Sequence, residues 1–247
     1  MMLQKQSFEQ IWRERFARFA NQADDDAGIA GWSPTGLATR IRHFNSLWSR
    51  QDNEKRWLDA GCGAGTYSGL LDSSGAEVIA LDFSPVALQK GKQRYPQTIQ
   101  WGVADVTRLP LPTHSVDGAL CFGVTQAMSA SEPVFEELIR VIKPGGQLWI
   151  DGLNSWCLPH IVVQLRRKLL GLEPHLRYQS PWQFRTIAKQ QGLQHIKLHW
   201  LAIAPSRLAS FQSVFDSRLV QQLFQYVPVI AAFFSHSMII QARTATK

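Results

Sequence analysis

Over the first fifty residues the apolar positions recur every three to four. Phe8, Ile11, Trp12, Phe16 and Phe19 keep that spacing with charges between them, which predicts an amphipathic helix over 7–20. Asp24, Asp25, Asp26 and Gly28 break it. Ser33-Pro34 then reads as an N-cap and first-turn proline for a second helix, about 35–50. From residue 55 the pattern changes to short continuous apolar runs. Strands are expected at about 56–60, 77–82, 98–103, 117–122 and 147–151. Helices separate them, from Gly65, over 85–94 behind Ser84-Pro85, and over 131–142. Unbroken apolar strands alternating with helices imply a parallel sheet covered on both faces. Lys143-Pro144-Gly145-Gly146 marks a turn before the fifth strand. Beyond 152 the pattern loosens. An apolar and basic segment over 156–172 is followed by a helix from Ser180-Pro181-Trp182 to about 191. A sixth strand (195–203), a helical insert (206–226) and a last strand (237–242) follow.

The chemistry concentrates at Trp57-Leu58-Asp59-Ala60-Gly61-Cys62-Gly63-Ala64-Gly65-Thr66. An apolar strand ends in an acid, and three glycines follow at alternate positions. Without a Cβ, glycine lets the chain turn sharply and lets a ligand lie against bare backbone. Strand, glycine turn and helix start together make a nucleotide-type cradle at the carboxyl edge of a parallel sheet. The dinucleotide pattern G-x-G-x-x-G fails at its last position, which is Thr66. Asp82 ends the second strand 19 residues after Gly63, where a carboxylate can accept both hydroxyls of a ribose. Asp105 follows the third strand in Gly102-Val103-Ala104-Asp105-Val106.

The spacing G-x-G-x-G after an acid, with Asp82, Asp105 and Lys143-Pro144-Gly145-Gly146 behind it, resembles the class I S-adenosylmethionine (SAM)-dependent methyltransferases. The resemblance covers roughly 55–152 and is greatest to the small-molecule branch that includes ubiquinone- and menaquinone-pathway enzymes. It implies a Rossmann-like, doubly wound α/β sheet of seven strands with an antiparallel last strand, N-terminal helices and helical insertions. A helical cap over 1–50 would precede a methyltransferase domain over 51–247, with its core at 55–152 and substrate-side additions at 153–235. The implied cofactor is SAM. The residues facing it would be Asp59, Gly61, Cys62, Gly63, Gly65, Asp82, Phe83, Ala104, Asp105, Val106 and Phe122. Asp105 would accept the adenine amino group, Asp59 would orient the loop near the methionine tail, and Phe122 would lie beside the sulfonium. In that family N-terminal helices cover the cofactor and wall the acceptor pocket.

Net charge is +7, which permits attraction to phosphate or an anionic surface without demonstrating either. Cys62, Cys121 and Cys157 show neither metal spacing nor a disulfide framework, favouring a reducing, cytoplasmic setting. Charges at Lys5, Glu9, Arg13, Glu14 and Arg15 argue against a signal peptide, and the uncharged run 226–242 is short for a membrane span. Arg166-Arg167-Lys168 leaves open a peripheral membrane contact.

The leading reading is methyl transfer to a small or lipid-like acceptor, with oxygen favoured over carbon or nitrogen and no metal implied. Nucleic acid is the second reading. Against it, Cys121-Phe122-Gly123-Val124 after the fourth strand lacks the Asp/Asn-Pro-Pro-aromatic motif of base-amine methylators. A non-catalytic SAM-binding protein is the third, and a nicotinamide dehydrogenase the least favoured. His160, following the fifth strand, is the first candidate for a general base and His236 the second.

Overall fold

The computed structural model describes residues 6–48, 55–95, 97–204 and 206–246. Its sheet contains β1 (Arg56–Ala60), β2 (Glu77–Asp82), β3 (Gln100–Val103), β4 (Val116–Cys121), β5 (Ile142–Asn154), β6 (Tyr178–Gln179), β7 (Gln194–Leu201) and β8 (Ser237–Arg243). The order is β3-β2-β1-β4-β5-β8-β7, with β6 attached to β5. Strands β1 to β5 pair in parallel, and β8 runs antiparallel to both β5 and β7. The expected sheet with a reversed last strand is therefore present, with the two-residue β6 added to it.

Around the sheet lie α1 (Phe8–Gln22), α2 (Asp26–Ile29), α3 (Pro34–Leu47), α4 (Thr66–Ser73), α5 (Pro85–Arg94) and α6 (Glu132–Val141). Then come α7 (Leu158–Leu169), α8 (Pro181–Gln190), α9 (Gln212–Phe215), α10 (Arg218–Tyr226) and α11 (Pro228–Phe234). Capping explains several starts. Ser33 accepts from the Gly36 N–H and Ser84 from the Ala87 N–H, as their Ser-Pro pairs suggest. The expected end of α3 at 49–50 and the 50/51 domain boundary lie outside the described residues.

Three local expectations change. The break at Asp24–Gly28 contains α2, because the Asp25 carboxylate accepts the Gly28 N–H at 2.8 Å and nucleates a turn. The late insert extends past 226 into α11, where Pro228 fits a helix first turn. Lys143-Pro144-Gly145-Gly146 does not separate helix from strand. It bulges within β5, between the pairs Val116–Ile142 and Gly118–Gln147. Lys143 there holds Asp117 at 2.8 Å.

Side chains alternate across the strands, so each face has its own core. Leu58, Ile79, Ala119, Ile150 and Ile240 pack on one side with Phe135 and Leu138 of α6. Trp57, Val78, Leu120, Trp149 and Ile239 pack on the other with Phe44 and Tyr67. Phe44, 1% exposed, brings α3 into that second core, with ring centroids 5.4 Å from Tyr67 and 5.6 Å from Trp149. Phe44→Ala should lower unfolding stability by about 3–5 kcal/mol. Leu169→Ala, at a side chain 87% exposed, should change it by less than about 0.5 kcal/mol. Urea unfolding of both variants checks this, and equal midpoints would contradict the packing described.

Candidate active site

After β1 the chain turns at the carboxyl edge of the sheet. The N–H groups of Gly61 and Cys62 both donate to the Leu81 carbonyl, at 2.7 and 3.0 Å, which fastens the loop to the end of β2. Two of the glycines serve different ends. Gly65 has φ +88°, and a Cβ there would lie 2.3 Å from the Trp101 ring. Its absence of a side chain lets α4 start against β3. Gly63 has φ +55°, and a Cβ there would meet nothing within 4 Å. Gly63 faces open space.

That space is a cavity of about 1140 Å³ including its mouth, lined by Asp59, Gly61, Cys62, Gly63, Asp82, Phe83, Ala104, Asp105, Val106 and Phe122. Ten of the eleven expected cofactor-facing residues thus meet on one surface. Gly65 does not, for the packing reason given above.

The carboxylates differ in state. Asp82 accepts the N–H of Gly63 at its Oδ2 and the N–H of Ser84 at its Oδ1, each at 2.8 Å. Burial pushes its pKa up, and these bonds oppose that. Each oxygen keeps a second lone pair for a ligand hydroxyl. Asp59 is deeper. Burial raises its pKa to about 7, against the Ser68 hydroxyl that donates to it at 2.6 Å, and the neighbouring Asp82 adds to the rise. Burial also works to raise Asp105. Two bonds from Thr107 and the guanidinium of Arg13 outweigh it, and its pKa lies below the usual carboxylate value. Bare backbone at Gly63, open room in front of it and two acceptor carboxylates at successive strand ends fit a nucleoside with a charged tail.

The structure adds residues that the chain order did not single out. Helix α1 closes one side of the cavity with Glu9, Trp12, Arg13 and Phe16, and Trp32 and Tyr67 face the same space. The α1 periodicity marked an apolar face without showing that it covers a cavity. Glu9 accepts from the N–H of Ser129 at 2.8 Å and from its hydroxyl, and the Ser129 bonds hold its pKa down to about 2. Asp151, on β5, accepts the Gly123 N–H at 2.7 Å. Burial raises it to about 6, with the buried Arg40 opposing.

His160 and His236 are not brought to the cavity. His160 Nδ1 lies 2.8 Å from the Asn154 carbonyl, and its Nε2 lies 3.0 Å from His236 Nδ1. A carbonyl can only accept, so Nδ1 carries the proton, and Nε2 accepts from His236. Burial lowers both pKa values and keeps the rings neutral. Both nitrogens of His160 are committed, which corrects its expected place beside the reacting atoms.

Residues 58–150 match the family model described as a methyltransferase domain. The biotin biosynthesis bifunctional protein BioHC of Cellvibrio japonicus is 32% identical over 147 residues, 58% of this chain and 28% of that one. Demethylmenaquinone methyltransferase of Clavibacter sepedonicus is 37% identical over 108 residues, 42% of this chain and 44% of that one. The chain therefore spans less than half the length of these curated relatives. A solved SAM-dependent methyltransferase of Thermotoga maritima, described as a possible histamine N-methyltransferase, aligns at TM-score 0.60 and 15% identity, covering 96% of this chain and 98% of that one. The [4+2]-cyclase SpnF aligns at TM-score 0.65 and 15% identity over all of both chains. At such identities the likeness is one of fold.

Over residues 58–150 the chain is similar to methyltransferase domains, and its glycine loop and strand-end carboxylates agree with that likeness. SAM is the cofactor that the loop, Asp82 and Asp105 would hold.

Asp59 makes the ligand-free protein pH-sensitive. Its folded pKa of about 7 lies above the ordinary 3.8, so the folded state holds a proton that the unfolded state releases first. Stability from this group is full below about pH 4 and declines as pH rises toward 7. Asp59→Asn should flatten that decline in thermal melts between pH 4.5 and 8. An unchanged slope would show that the carboxyl is not held protonated.

Proposed function

We propose that this protein moves a methyl group from SAM to an oxygen of a small, apolar or lipid-like acceptor. The observation that carries the reading is the apolar surface that Trp12, Trp32, Phe122, Val124 and Met128 give the cavity, with no histidine among its described lining residues. When bound, SAM supplies a sulfonium-activated methyl group open to direct displacement. Asp82 would accept the ribose hydroxyls, Asp105 would face the adenine, and the Gly61–Gly63 backbone would lie against the tail. Trp12, Phe16 and Trp32 would exclude water and hold the acceptor in line.

No described histidine lines the cavity, and Asp59, its carboxyl pKa raised to about 7, is buried against Ser68. Glu9 is kept ionised and weakly basic by Ser129, and burial pushes the Tyr67 hydroxyl well above its usual range. An acceptor that arrives already ionised, such as a carboxylate or an acidic enol or phenol, needs only to be positioned. Support of the same kind comes from the relative named demethylmenaquinone methyltransferase and from another, in Serratia marcescens, named malonyl-[acyl-carrier protein] O-methyltransferase. Nucleic acid gains no such support, since none of the relatives named above is of that kind and Cys121-Phe122-Gly123-Val124 lacks the base-amine motif.

Asp82→Ala should weaken SAM binding at least about tenfold, because each charge-assisted hydrogen bond lost is worth roughly 1.5–3 kcal/mol. Titration calorimetry reads this directly, and unchanged affinity would remove Asp82 from the site. Labelled methyl transfer into fractionated cell extract, with mass identification of the product, tests the acceptor class. Label recovered only in nucleic acid or protein would overturn the proposal.

A further inference from the structure

Large apolar side chains on α7, α10 and α11 point into solvent. On α7 they are Leu158, Val162, Leu165 and Leu169, spaced by four, three and four residues and so stacked on one helix face. On α10 and α11, Leu219, Leu223, Tyr226 and Val229 form a second exposed row. The interior of this region is filled by other residues: Phe224 packs with Trp200, Ala231 and Ala232. The exposed rows are thus surplus to the core.

The start of α7 and the end of α11 meet at the end of β5. The Asn154 amide, at the end of β5, donates to the carbonyls of Ala232 and Ser235 at 2.6 and 2.8 Å. Trp156, just before α7, lies 5.9 Å from the Phe233 ring on α11. This is the carboxyl edge of the sheet, where the cavity also lies. The segment after α7 reaches the cavity wall, since the Arg15 guanidinium of α1 donates to the His175 carbonyl and the Arg177 N–H donates to the Gln126 carbonyl.

Charge selects the occupant. Residues 155–172 contain no acid and carry Arg166, Arg167 and Lys168, and residues 217–236 contain no acid and carry Arg218. Arg166 and Lys168 are exposed. Aliphatic rows flanked by cations suit a surface that offers anionic headgroups above acyl chains. No described helix is long and apolar enough to cross a membrane, so these helices would lie in the interface.

We propose that the face formed by α7, α10 and α11 docks this protein on an anionic lipid bilayer. The proposal goes beyond the acceptor reading above and is tested without turnover. The full chain would be co-sedimented with vesicles of phosphatidylcholine alone and of phosphatidylcholine mixed with phosphatidylglycerol. Binding to the mixed vesicles should exceed that to neutral ones by at least about tenfold and should weaken with salt. Replacing Arg166, Arg167 and Lys168 together with Gln should bring it to the neutral level. Leu165→Asn with Leu169→Asn, which keeps every charge, should also lower it at least about tenfold, because buried apolar area drives insertion. SAM affinity by calorimetry should stay the same in both variants, so a failed methyltransferase reading would show separately.

Wild-type protein that ignores anionic vesicles would overturn the proposal. So would a Leu165/Leu169 variant that sediments like wild type. A concentration-dependent dimer abolished by that variant, with no vesicle binding, would assign the face to a second copy. Retention on an immobilised acidic carrier protein, again without vesicle binding, would assign it to a protein partner.

Discussion

The Asp82 carboxylate, shared between the Gly63 and Ser84 N–H groups, is the contact on which the site depends. It joins the loop after β1 to the start of α5, and so sets two adjacent strand ends at one spacing. The contact also resolves a conflict. A carboxylate this buried is costly, and two backbone donors reduce the cost while leaving lone pairs free. Asp59, one strand over, is tied to Ser68 and has its pKa raised by burial and by the neighbouring Asp82, so it cannot stay ionised as readily. Two acids at neighbouring strand ends therefore have different surroundings: Asp82 is equipped to bind, and Asp59 to support the loop from beneath.

The fold was legible in the chain because its signals are local. Ser33 and Ser84 cap the helices that their Ser-Pro pairs announce, and the continuous apolar runs become the parallel strands. Glycine and acid spacing carried the cofactor half, since the advance from one strand end to the next is set by sheet geometry. Where local chemistry admits two uses, the reading slipped. Lys143 to Gly146 has the composition of a turn and bulges inside a long strand, because β4 supplies Asp117 to hold Lys143 there.

Long-range placement accounts for the rest. Nothing near Arg13 in sequence announces that it meets Asp105, 92 residues away. Trp12 and Trp32 look like core residues until α1 is seen to cover a cavity. His160 illustrates the limit of an edge argument. It does stand near the carboxyl edge, yet α7 turns its ring toward Asn154 and His236. Proximity to an edge was readable, and ring direction depends on a helix axis fixed by tertiary packing.

The three N-terminal helices differ in how they are held, and that difference divides the cavity wall. Helix α3 is fastened by Phe44, whose removal opens the aromatic core. Helix α2 is fastened by Asp26, which accepts the Tyr95 and Thr66 hydroxyls at 2.6 Å each and pairs with Arg94. The first half of α1 relies on polar ties that water can reach: in Arg13–Asp105 the side chains are 49% and 37% exposed. Such a pair is worth about 0–1 kcal/mol. Trp12 and Phe16 therefore supply most of what holds α1 down, and they do so by covering the cavity itself. A ligand filling that cavity would give those rings more surface to bury against, so the wall that closes the site is also the part whose stability depends most on what the site contains.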